Sequence, residues 1–389
     1  MSPSPAPHTP VEGLAIAVQP SEPVADTAHL HELIASVCRD ERRFLGFPDH
    51  LGLVVGELAP LLAMFADHRP GPYSPDAVAA ATRPYEEAVL EYFAALAGAS
   101  AADAHGYVAS SPSEALLHGL ATARRRLPEA SVYVSDQAHY SVARACDLLG
   151  MNRVNVQSLP DGTMDPEDLR LQTRMRRGAG AVVLATCGTP LRGAVDNVVA
   201  LRTAAVESGR VHVHVDATTG GLAAAHSDEM PPWSLAHGAD SITLSAHGLL
   251  GLPVPAGISL MRRVQIPATT AGITVPDRSV VGARGGLAAL LLWTRLRSLG
   301  RAGVAAMVSR CQDVAAYAED RFKGAGARPA RFPGSLTVTF ERPPTWVVNK
   351  WHLTHAGDLA QIVTIGPLTR TAVNELAIDL SVAGLEAIA

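Results

Sequence analysis

Asp216 is a carboxylate with clear potential for chemistry, because it directly follows the run Val-His-Val-His-Val at residues 211–215. A carboxylate at the end of a buried run is costly unless it is paired or hydrogen-bonded. Its partner is either a cationic ligand atom, such as a protonated ring nitrogen, or the backbone of a turn or helix that it caps. The residue types alone leave both interpretations open.

Two histidines have side chains suited to proton transfer at neutral pH. His139 opens a helical segment, and its ring could stack on a flat ligand, while His247 and Ser245 alternate just past an apolar run. Ser113 begins another helix, where a hydroxyl and backbone N–H groups favour an anion. The alternatives are a satisfied structural histidine and an ordinary helix cap.

Cysteine chemistry is a weaker possibility. Cys187 could act as a nucleophile with Asp216 and His247, but its apolar flanks favour a place in the core. The cysteines have no Cys-x-x-Cys spacing, so neither a disulfide framework nor a metal site is predicted. They are Cys38, Cys146, Cys187 and Cys311.

The elements that position these groups follow an alternating pattern. Short β-rich runs at 131–134, 181–186, 211–215, 241–245 and 257–261 are separated by helical segments such as 113–126, 141–149 and 195–207. This alternation predicts an α/β fold with a mainly parallel sheet and helices on both faces. Ligands in such sheets bind at the carboxyl ends of the strands, where the candidate residues lie.

The length of 389 residues predicts more than one domain. Residues 1–25, rich in Pro, Ser and Ala, are expected to form a flexible tail, and 26–75 an N-terminal arm with a helical period over 29–44. We expect a large α/β domain over 76–297. A small α+β domain should follow over 298–389.

The charge pattern excludes several classes of partner. The chain carries 32 basic and 37 acidic residues without long like-charge runs, so neither nucleic acid nor a membrane surface is an expected partner. No apolar run approaches the roughly 20 residues of a membrane span. The first residues lack the features of a signal peptide, so a soluble, cytoplasmic protein with a small-molecule substrate is predicted.

A series of short strings, taken in order, resembles the pyridoxal-phosphate-dependent group II amino-acid decarboxylases, in particular the bacterial histidine decarboxylases. They include Asp-Gln-Ala-His-Tyr-Ser-Val-Ala at 136–143, His-Val-Asp-Ala at 214–217, Ser-Ala-His at 245–247, Gly-Leu-Pro-Val-Pro-Ala-Gly at 251–257 and Val-Val-Asn-Lys-Trp-His-Leu at 347–353. The resemblance implies the aspartate-aminotransferase-like type I fold, with a mixed, mostly parallel seven-stranded sheet. It also implies a homodimer with cofactor sites near the subunit interface.

The resemblance assigns a role to each candidate residue. By position, His139 would stack on the pyridine ring of the cofactor, and Asp216 would pair with its protonated nitrogen. Ala217 would pack on the other face of the ring, and Thr189 would lie near the ring substituents. The phosphate-side contacts would be Ser113, Ser245 and His247.

The departures from the family pattern lie in the same site. Gly248 stands where the family has the lysine that forms the internal aldimine, and the two lysines of this chain, Lys323 and Lys350, fall in no matching motif. In the phosphate turn, Pro112 removes a backbone N–H. Any pyridoxal phosphate is therefore expected to bind non-covalently, and ordinary decarboxylase turnover is not expected.

The sequence thus favours a repurposed biosynthetic enzyme of bacterial specialised metabolism. It would act on a small amine- or amino-acid-derived substrate through His247, His139 and Asp216, without a lysine aldimine. One alternative is a non-catalytic pseudoenzyme that binds a ligand or a homologous subunit. Another is a residual or engineered variant of a pyridoxal-phosphate-dependent decarboxylase.

Overall fold

The computed structural model describes residues 23–40, 43–46, 56–62, 82–265, 279–281, 284–366 and 368–386. The chain divides into two compact units, residues 1–42 and 43–389. The first unit contains helix α1 (Pro23–Asp40), in which Leu30, Leu33 and Ile34 are exposed. The predicted tail lies outside the described residues except for 23–25, which are helical, and much of the predicted arm also lies outside them.

The second unit alternates strands and helices along the chain. Its first part contains α2 (Ala59–Leu62), α3 (Arg83–Leu96), β1 (Ala104–Ala109), α4 (Pro112–Arg126), β2 (Ser131–Ser135), α5 (Ser141–Leu149), β3 (Arg153–Val156), α6 (Pro166–Arg174) and β4 (Ala181–Thr186). Then follow α7 (Val198–Ala205), β5 (Val211–Ala217), α8 (Gly221–Ala224), β6 (Ser241–Ser245), β7 (Gly257–Arg262) and α9 (Leu287–Gly324). The last elements are β8 (Thr337–Glu341), α10 (Thr345–Lys350), β9 (Thr354–Ala356), β10 (Leu359–Val363) and α11 (Arg370–Glu386).

Seven strands form one mixed sheet in the order β1-β7-β6-β5-β4-β2-β3. The pairs from β6 to β3 are parallel, and β7 is antiparallel to both of its neighbours. This arrangement confirms the predicted mixed, mostly parallel sheet of seven strands. The five predicted β-rich runs did not include β1 or β3. The residues of β3 alternate between exposed and buried positions in a short, partly polar edge strand.

The sheet is buried on both faces because successive side chains of a strand point to opposite sides. In β4, Val183 packs with Leu201 in one apolar cluster, and its neighbour Val182 packs with Leu120 in another. In β5, Val213 and Val215 belong to the first cluster. The alternate residues of β5, including Asp216, therefore face the side of the sheet that carries α4.

A second sheet lies near the end of the chain, with the antiparallel order β8-β10-β9. Its cluster is built around Phe322, Phe340 and Trp351. The long helix α9 is broken at Gly300, whose φ of 61° and ψ of 175° leave helical geometry. A positive φ of this kind is readily adopted only by glycine. The break lies close to the predicted boundary between residues 297 and 298, which stays a prediction.

Candidate functional site

A cavity of about 420 Å³ lies where the large sheet meets the N-terminus of α4 and the small sheet. Five of the seven predicted site residues line it: Ser113, His139, Asp216, Ser245 and His247. The other lining residues are Pro112, Leu116, Ser141, Thr186, Gly188, Pro190, Thr218, Thr219, Thr354, Gln361 and Val363. The parallel strands β2, β4, β5 and β6 end at one edge of the sheet, and this common edge brings residues distant in sequence together.

Thr189 and Ala217 are not among the described lining residues. Thr189 is buried, and its Oγ1 accepts a hydrogen bond from the backbone N–H of Ala194 at 3.0 Å. Ala217 packs in the apolar cluster that contains Val213 and Val215. Since Asp216 faces the opposite side of the sheet, Ala217 and Asp216 point in opposite directions.

Asp216 is held through one carboxylate oxygen. Its Oδ1 accepts hydrogen bonds from the backbone N–H of Thr218 at 3.1 Å and from the Thr218 hydroxyl at 2.5 Å. Its Oδ2 accepts no hydrogen bond from a described residue. The carboxylate is thus oriented by the turn after β5 and keeps one oxygen for a ligand.

His139 is oriented in a similar way by Ser141. The Nδ1 atom of His139 accepts a hydrogen bond from the Ser141 backbone N–H at 3.3 Å and lies 2.8 Å from the Ser141 hydroxyl oxygen. An Nδ1 atom that accepts places the proton of the neutral ring on Nε2. Nε2 has no hydrogen-bond partner among the described residues. The side chain therefore presents an N–H donor that the protein itself does not use.

His247 follows the same pattern at the end of β6. Its Nδ1 atom lies 3.3 Å from Ser245 Oγ, 3.2 Å from the carbonyl oxygen of Ala256 and 3.3 Å from the Ala256 nitrogen. The Nε2 atom makes no hydrogen bond to the described part of the chain. His139, Asp216 and His247 are thus each fixed through one polar atom and each keep a second polar atom for a ligand.

Gly248 comes directly after this segment, and its backbone N–H donates to Ser245 Oγ at 3.4 Å. A Cβ atom built at Gly248 would meet a single described atom within 4 Å, Ser245 Oγ at 3.7 Å, which is an ordinary contact. The backbone at this position does not require glycine. Lys350 instead forms an ion pair with Asp379, and neither Lys350 nor Lys323 is a described lining residue.

The N-terminus of α4 is largely occupied by its own side chains. Ser111 Oγ accepts a hydrogen bond from the Glu114 backbone N–H at 3.1 Å, and Glu114 Oε2 accepts one from the Ser110 N–H at 2.7 Å. Glu114 Oε1 accepts a further bond from the Tyr107 hydroxyl at 2.9 Å. Pro112 contributes no N–H. Few donors are left here for a phosphate group.

Cys187 is fully buried between the sheet and the following turn. Burial raises the pKa of its thiol well above the ordinary value, and the carboxylates of Asp196 and Asp216 raise it further. A thiol that stays protonated is a poor nucleophile. The structure therefore argues for the core role of Cys187 and against a catalytic one.

Sequence reasoning missed the contribution of the small sheet and of the last residue of β4. Thr354, Gln361 and Val363 line the cavity from the small sheet, and Thr186 lines it from β4. Nothing in a short strand signals which cavity it will face. Thr186 could have been found, because it ends an apolar run at the carboxyl edge of the sheet.

Arg284 forms a buried ion pair with a residue of α3. Its Nη1 atom lies 2.6 Å from Glu86 Oε1, with each side chain 1% exposed. Arg284 also donates to the Val108 carbonyl at 3.2 Å and lies over the Tyr107 ring. Glu86 in turn accepts from the Val108 N–H at 2.7 Å. The pair joins α3 to β1.

The fold defines the class of this protein. The seven-stranded mixed sheet with flanking helices and a small antiparallel sheet is the type I fold of pyridoxal-phosphate enzymes. L-methionine decarboxylase from Streptomyces sp. 590, in its internal aldimine form, matches with a TM-score of 0.84 at 19% identity, over 97% of this chain and 98% of that one. The sphingosine-1-phosphate lyase of Burkholderia pseudomallei matches with a TM-score of 0.78 at 18% identity, over 97% and 94% of the two chains.

Sequence comparison identifies the family. The sequence model described as the pyridoxal-dependent decarboxylase conserved domain matches residues 79–270. Histidine decarboxylase from Klebsiella aerogenes is 33% identical over 287 residues, 72% of this chain and 76% of that protein. Histidine decarboxylase from Pseudomonas fluorescens is 32% identical over 72% of this chain and 71% of that protein. This chain belongs to the pyridoxal-dependent decarboxylase family.

Two kinds of feature are absent from the described residues. None of their helices has the combination of length and apolar character that a bilayer span requires. Within the same ranges, no group of three or more His, Cys, Asp or Glu side chains is arranged to hold a metal ion.

Proposed function

We propose that this chain is a repurposed member of the decarboxylase family, an enzyme that acts on a small amine- or amino-acid-derived substrate without a covalent lysine–cofactor bond. The observation that carries the proposal is the shared geometry of His139, Asp216 and His247. Each is fixed through one atom, and each lines the same cavity with its second polar atom unpartnered among the described residues. Gly248 supplies no amine beside them.

The residues fit the two halves of pyridoxal phosphate unequally. When bound, that cofactor supplies an electron sink through its protonated ring. Asp216 and His139 suit the ring, with a free carboxylate oxygen for its nitrogen and an imidazole for stacking. The phosphate half is poorly served, because Glu114 takes the Ser110 N–H and Pro112 has none. Ser113, Ser245 and His247 would have to supply its contacts.

We infer that any pyridoxal phosphate in this cleft is held non-covalently and exchanges freely. Among the described lining residues there is neither lysine nor arginine, so a phosphate dianion would lack a permanent positive partner. If pyridoxal phosphate binds, Thr189 would lie near the ring substituents and Ala217 would pack on one face of the ring.

The acid–base roles follow from the hydrogen bonds. In the neutral ring, His139 carries its proton on Nε2 and can donate it to a ligand, since Nδ1 accepts from Ser141. His247 offers its Nε2 as the second proton-transfer site, with Nδ1 held by Ala256 and Ser245. Asp216 orients a cationic group of the ligand through Oδ2. These three side chains together support proton transfer at a carbon or nitrogen atom beside an ammonium group of the ligand.

The same proposal covers the oligomeric state, the cellular location and the domain limits. We propose a homodimer in the cytoplasm, with the domain limits expected from the sequence and a role in bacterial specialised metabolism. Family membership supports the dimer, and small-angle scattering of the purified protein would test it. A monomer at micromolar concentration would contradict this part of the proposal.

Absorbance spectra of the purified protein, before and after near-equimolar pyridoxal phosphate, test the lysine-independent function. Borohydride reduction followed by peptide mapping should reveal no stoichiometric adduct, and dialysis should remove any bound cofactor. A stoichiometric adduct on Lys323 or Lys350 would overturn the proposal. Near-equimolar cofactor is required because surface amines react slowly with excess aldehyde.

Turnover separates the proposed enzyme from its alternatives. Amino acids and their amines are incubated with the protein, and products are followed by mass spectrometry in the unaltered chain and in His139→Gln and His247→Gln. The proposal expects turnover that both variants lose while ligand binding is retained. Ligand binding without turnover in the unaltered protein would instead support the non-catalytic alternative. Carbon dioxide release that depends on added pyridoxal phosphate would support a residual decarboxylase.

A further inference from the structure

The amino ends of the parallel strands carry a concentration of arginines. The segments 124–130, 174–180 and 206–210 lead into β2, β4 and β5, and together they hold seven arginines and two carboxylates. The whole chain, in contrast, has a formal net charge of -5. No run of like charges in the sequence shows this concentration, because three distant segments contribute to it.

Backbone contacts bring the three segments together. The N–H of Gly178 donates to the Ser208 carbonyl at 3.0 Å, and the N–H of Ala181 donates to the Arg210 carbonyl at 2.9 Å. A Cβ atom built at Gly180 would lie 3.5 Å from Leu127, which follows α4. The segments therefore form one surface, here called the basic edge.

Glu207 shows how the arginines of the basic edge treat a carboxylate. Its Oε2 atom lies 3.4 Å from Arg174 Nε and also pairs with Arg177. The hydrogen bond from Arg177 and the charges of both arginines lower the pKa of the Glu207 carboxyl. This surface thus favours ionised carboxylates and can hold one between two guanidinium groups.

Other arginines of the basic edge keep their guanidinium groups unused. Arg124, Arg125 and Arg210 are exposed, and their side chains have no polar partner among the described residues. A positive charge at the end of α4 also offsets the helix dipole, and Arg126 donates there to the Val264 carbonyl at 3.0 Å. The dipole alone does not account for Arg210, which lies beyond the helices and next to β5.

Apolar side chains are exposed among the charges. Met175 is 79% exposed and Val206 is 61% exposed, and they adjoin Arg174 and Glu207 in the chain. The three segments contain no aromatic residue. Aromatic side chains are the usual means of stacking bases or anchoring in a bilayer interface, so this composition favours a protein partner over nucleic acid or lipid.

We propose that the basic edge docks an acidic segment of another protein, whose carboxylates pair with the unused arginines and whose apolar side chains cover Met175 and Val206. The cavity lies at the opposite ends of the same strands. Since β5 has seven residues, the two surfaces are separated by roughly 20 Å. Docking therefore leaves the cavity open, and the inference is independent of the chemistry proposed there.

Fluorescence anisotropy of the full chain with two labelled peptides tests the surface. We expect a peptide of repeated Glu-Glu-Leu-Glu units to bind at micromolar concentration, with an affinity that falls as salt is added. A peptide of repeated Glu-Glu-Ser-Glu units has the same charge and should bind about tenfold more weakly, because it leaves the apolar side chains uncovered. Combining Met175→Ser with Val206→Ser should remove this difference. Ile378→Ser, on an exposed position of α11, should keep it.

The charges are tested by combining Arg124→Gln, Arg125→Gln and Arg210→Gln. This variant should bind the leucine-containing peptide about tenfold more weakly or worse, and its Tm should stay close to that of the unaltered protein. The matched control makes the same change of charge at three exposed arginines outside the basic edge: Arg310→Gln, Arg321→Gln and Arg342→Gln. It should keep the affinity of the unaltered protein.

Several outcomes would overturn the docking surface while the proposed function of the cavity stands. One is equal affinity for the two peptides, and another is the same affinity in the triple variant and its matched control. A fall in Tm with unchanged peptide affinity would show that the arginines serve stability alone. Tighter binding of single-stranded RNA, or of vesicles with equal parts of phosphatidylserine and phosphatidylcholine, would refute the choice of a protein partner.

Discussion

Gly248 and Ser245 lie side by side at the end of β6, and a Cβ atom at Gly248 would meet Ser245 Oγ at 3.7 Å with no other described atom within 4 Å. The glycine is therefore not imposed by packing. In this it differs from Gly119, where an added Cβ would overlap the ring of His214. The space for a side chain is present beside the cavity, although the sequence does not use it.

Gly248→Lys should fold and should restore a covalent bond to pyridoxal phosphate, because the backbone accepts a side chain and the cavity adjoins it. A visible absorbance band and a borohydride-trapped adduct on residue 248 are the measurements. Gly248→Met, with a side chain of similar length and no amine, is the control and should show neither signal. A folded Gly248→Lys protein without a band would indicate that the α4 N-terminus around Pro112 no longer holds the phosphate.

Asp216→Asn should weaken reversible binding of pyridoxal phosphate about tenfold or more, since it removes a charge-assisted hydrogen bond to the ring nitrogen. Equilibrium dialysis or fluorescence titration measures the change. Thr218→Val is the companion variant, because it removes the hydroxyl that donates to Asp216 Oδ1 and leaves the charge of the carboxylate in place. It should give a smaller loss of affinity. Unchanged affinity in Asp216→Asn would refute the pairing.

Acid should destabilise the protein through two buried histidines of β5. Burial lowers the pKa of His212 and of His214 from 6.5 to about 3, with nearby positive charge adding to the effect. The unfolded chain then binds more protons than the folded one between pH 3 and 6.5. Stability is therefore fully present above this window and falls as the pH falls through it.

Urea unfolding at several pH values measures how steeply the free energy of unfolding changes with pH. Each histidine adds up to about 1.4 kcal/mol per pH unit to the free energy of unfolding within the window. His212→Asn should reduce the slope, although it also disturbs the hydrogen bond of 2.9 Å between His212 Nε2 and Ser241 Oγ. The exposed His355 provides the control, and His355→Asn should leave the slope unchanged. A slope that is equal in all three proteins would contradict the assignment.

Arg284→Met should cost about 3–5 kcal/mol of stability, because it removes the positive charge that lies beside the buried Glu86 carboxylate. Replacing both side chains by methionine should recover part of the loss. Arg328 and Glu341 form an exposed pair at 2.8 Å, and Arg328→Met should cost less than about 1 kcal/mol. Urea denaturation compares the three variants. Similar losses in Arg284→Met and Arg328→Met would show that burial does not control the strength of the pair.

The order of elements and the edge of the sheet at which the candidate site residues lie were readable from the sequence because they depend on local patterns. Apolar runs such as Ala181–Thr186 mark strands buried on both faces, and polar residues after them mark the carboxyl edge of the sheet. Because side chains alternate along a strand, Asp216 and Val215 also lie on opposite faces of the sheet. Asp216, His139, Ser245 and His247 could therefore be placed at one edge without knowledge of their distances.

Only the tertiary structure decided which atoms of these residues remain available and what else reaches the cavity. Whether an oxygen of Asp216 is used by Thr218, or a nitrogen of His139 by Ser141, depends on backbone geometry over a few residues. Gln361 reaches the cavity because a sheet formed more than a hundred residues later in the chain packs beside the ends of β4 and β5. Such packing depends on the complementarity of distant surfaces, and no local period of the sequence encodes it.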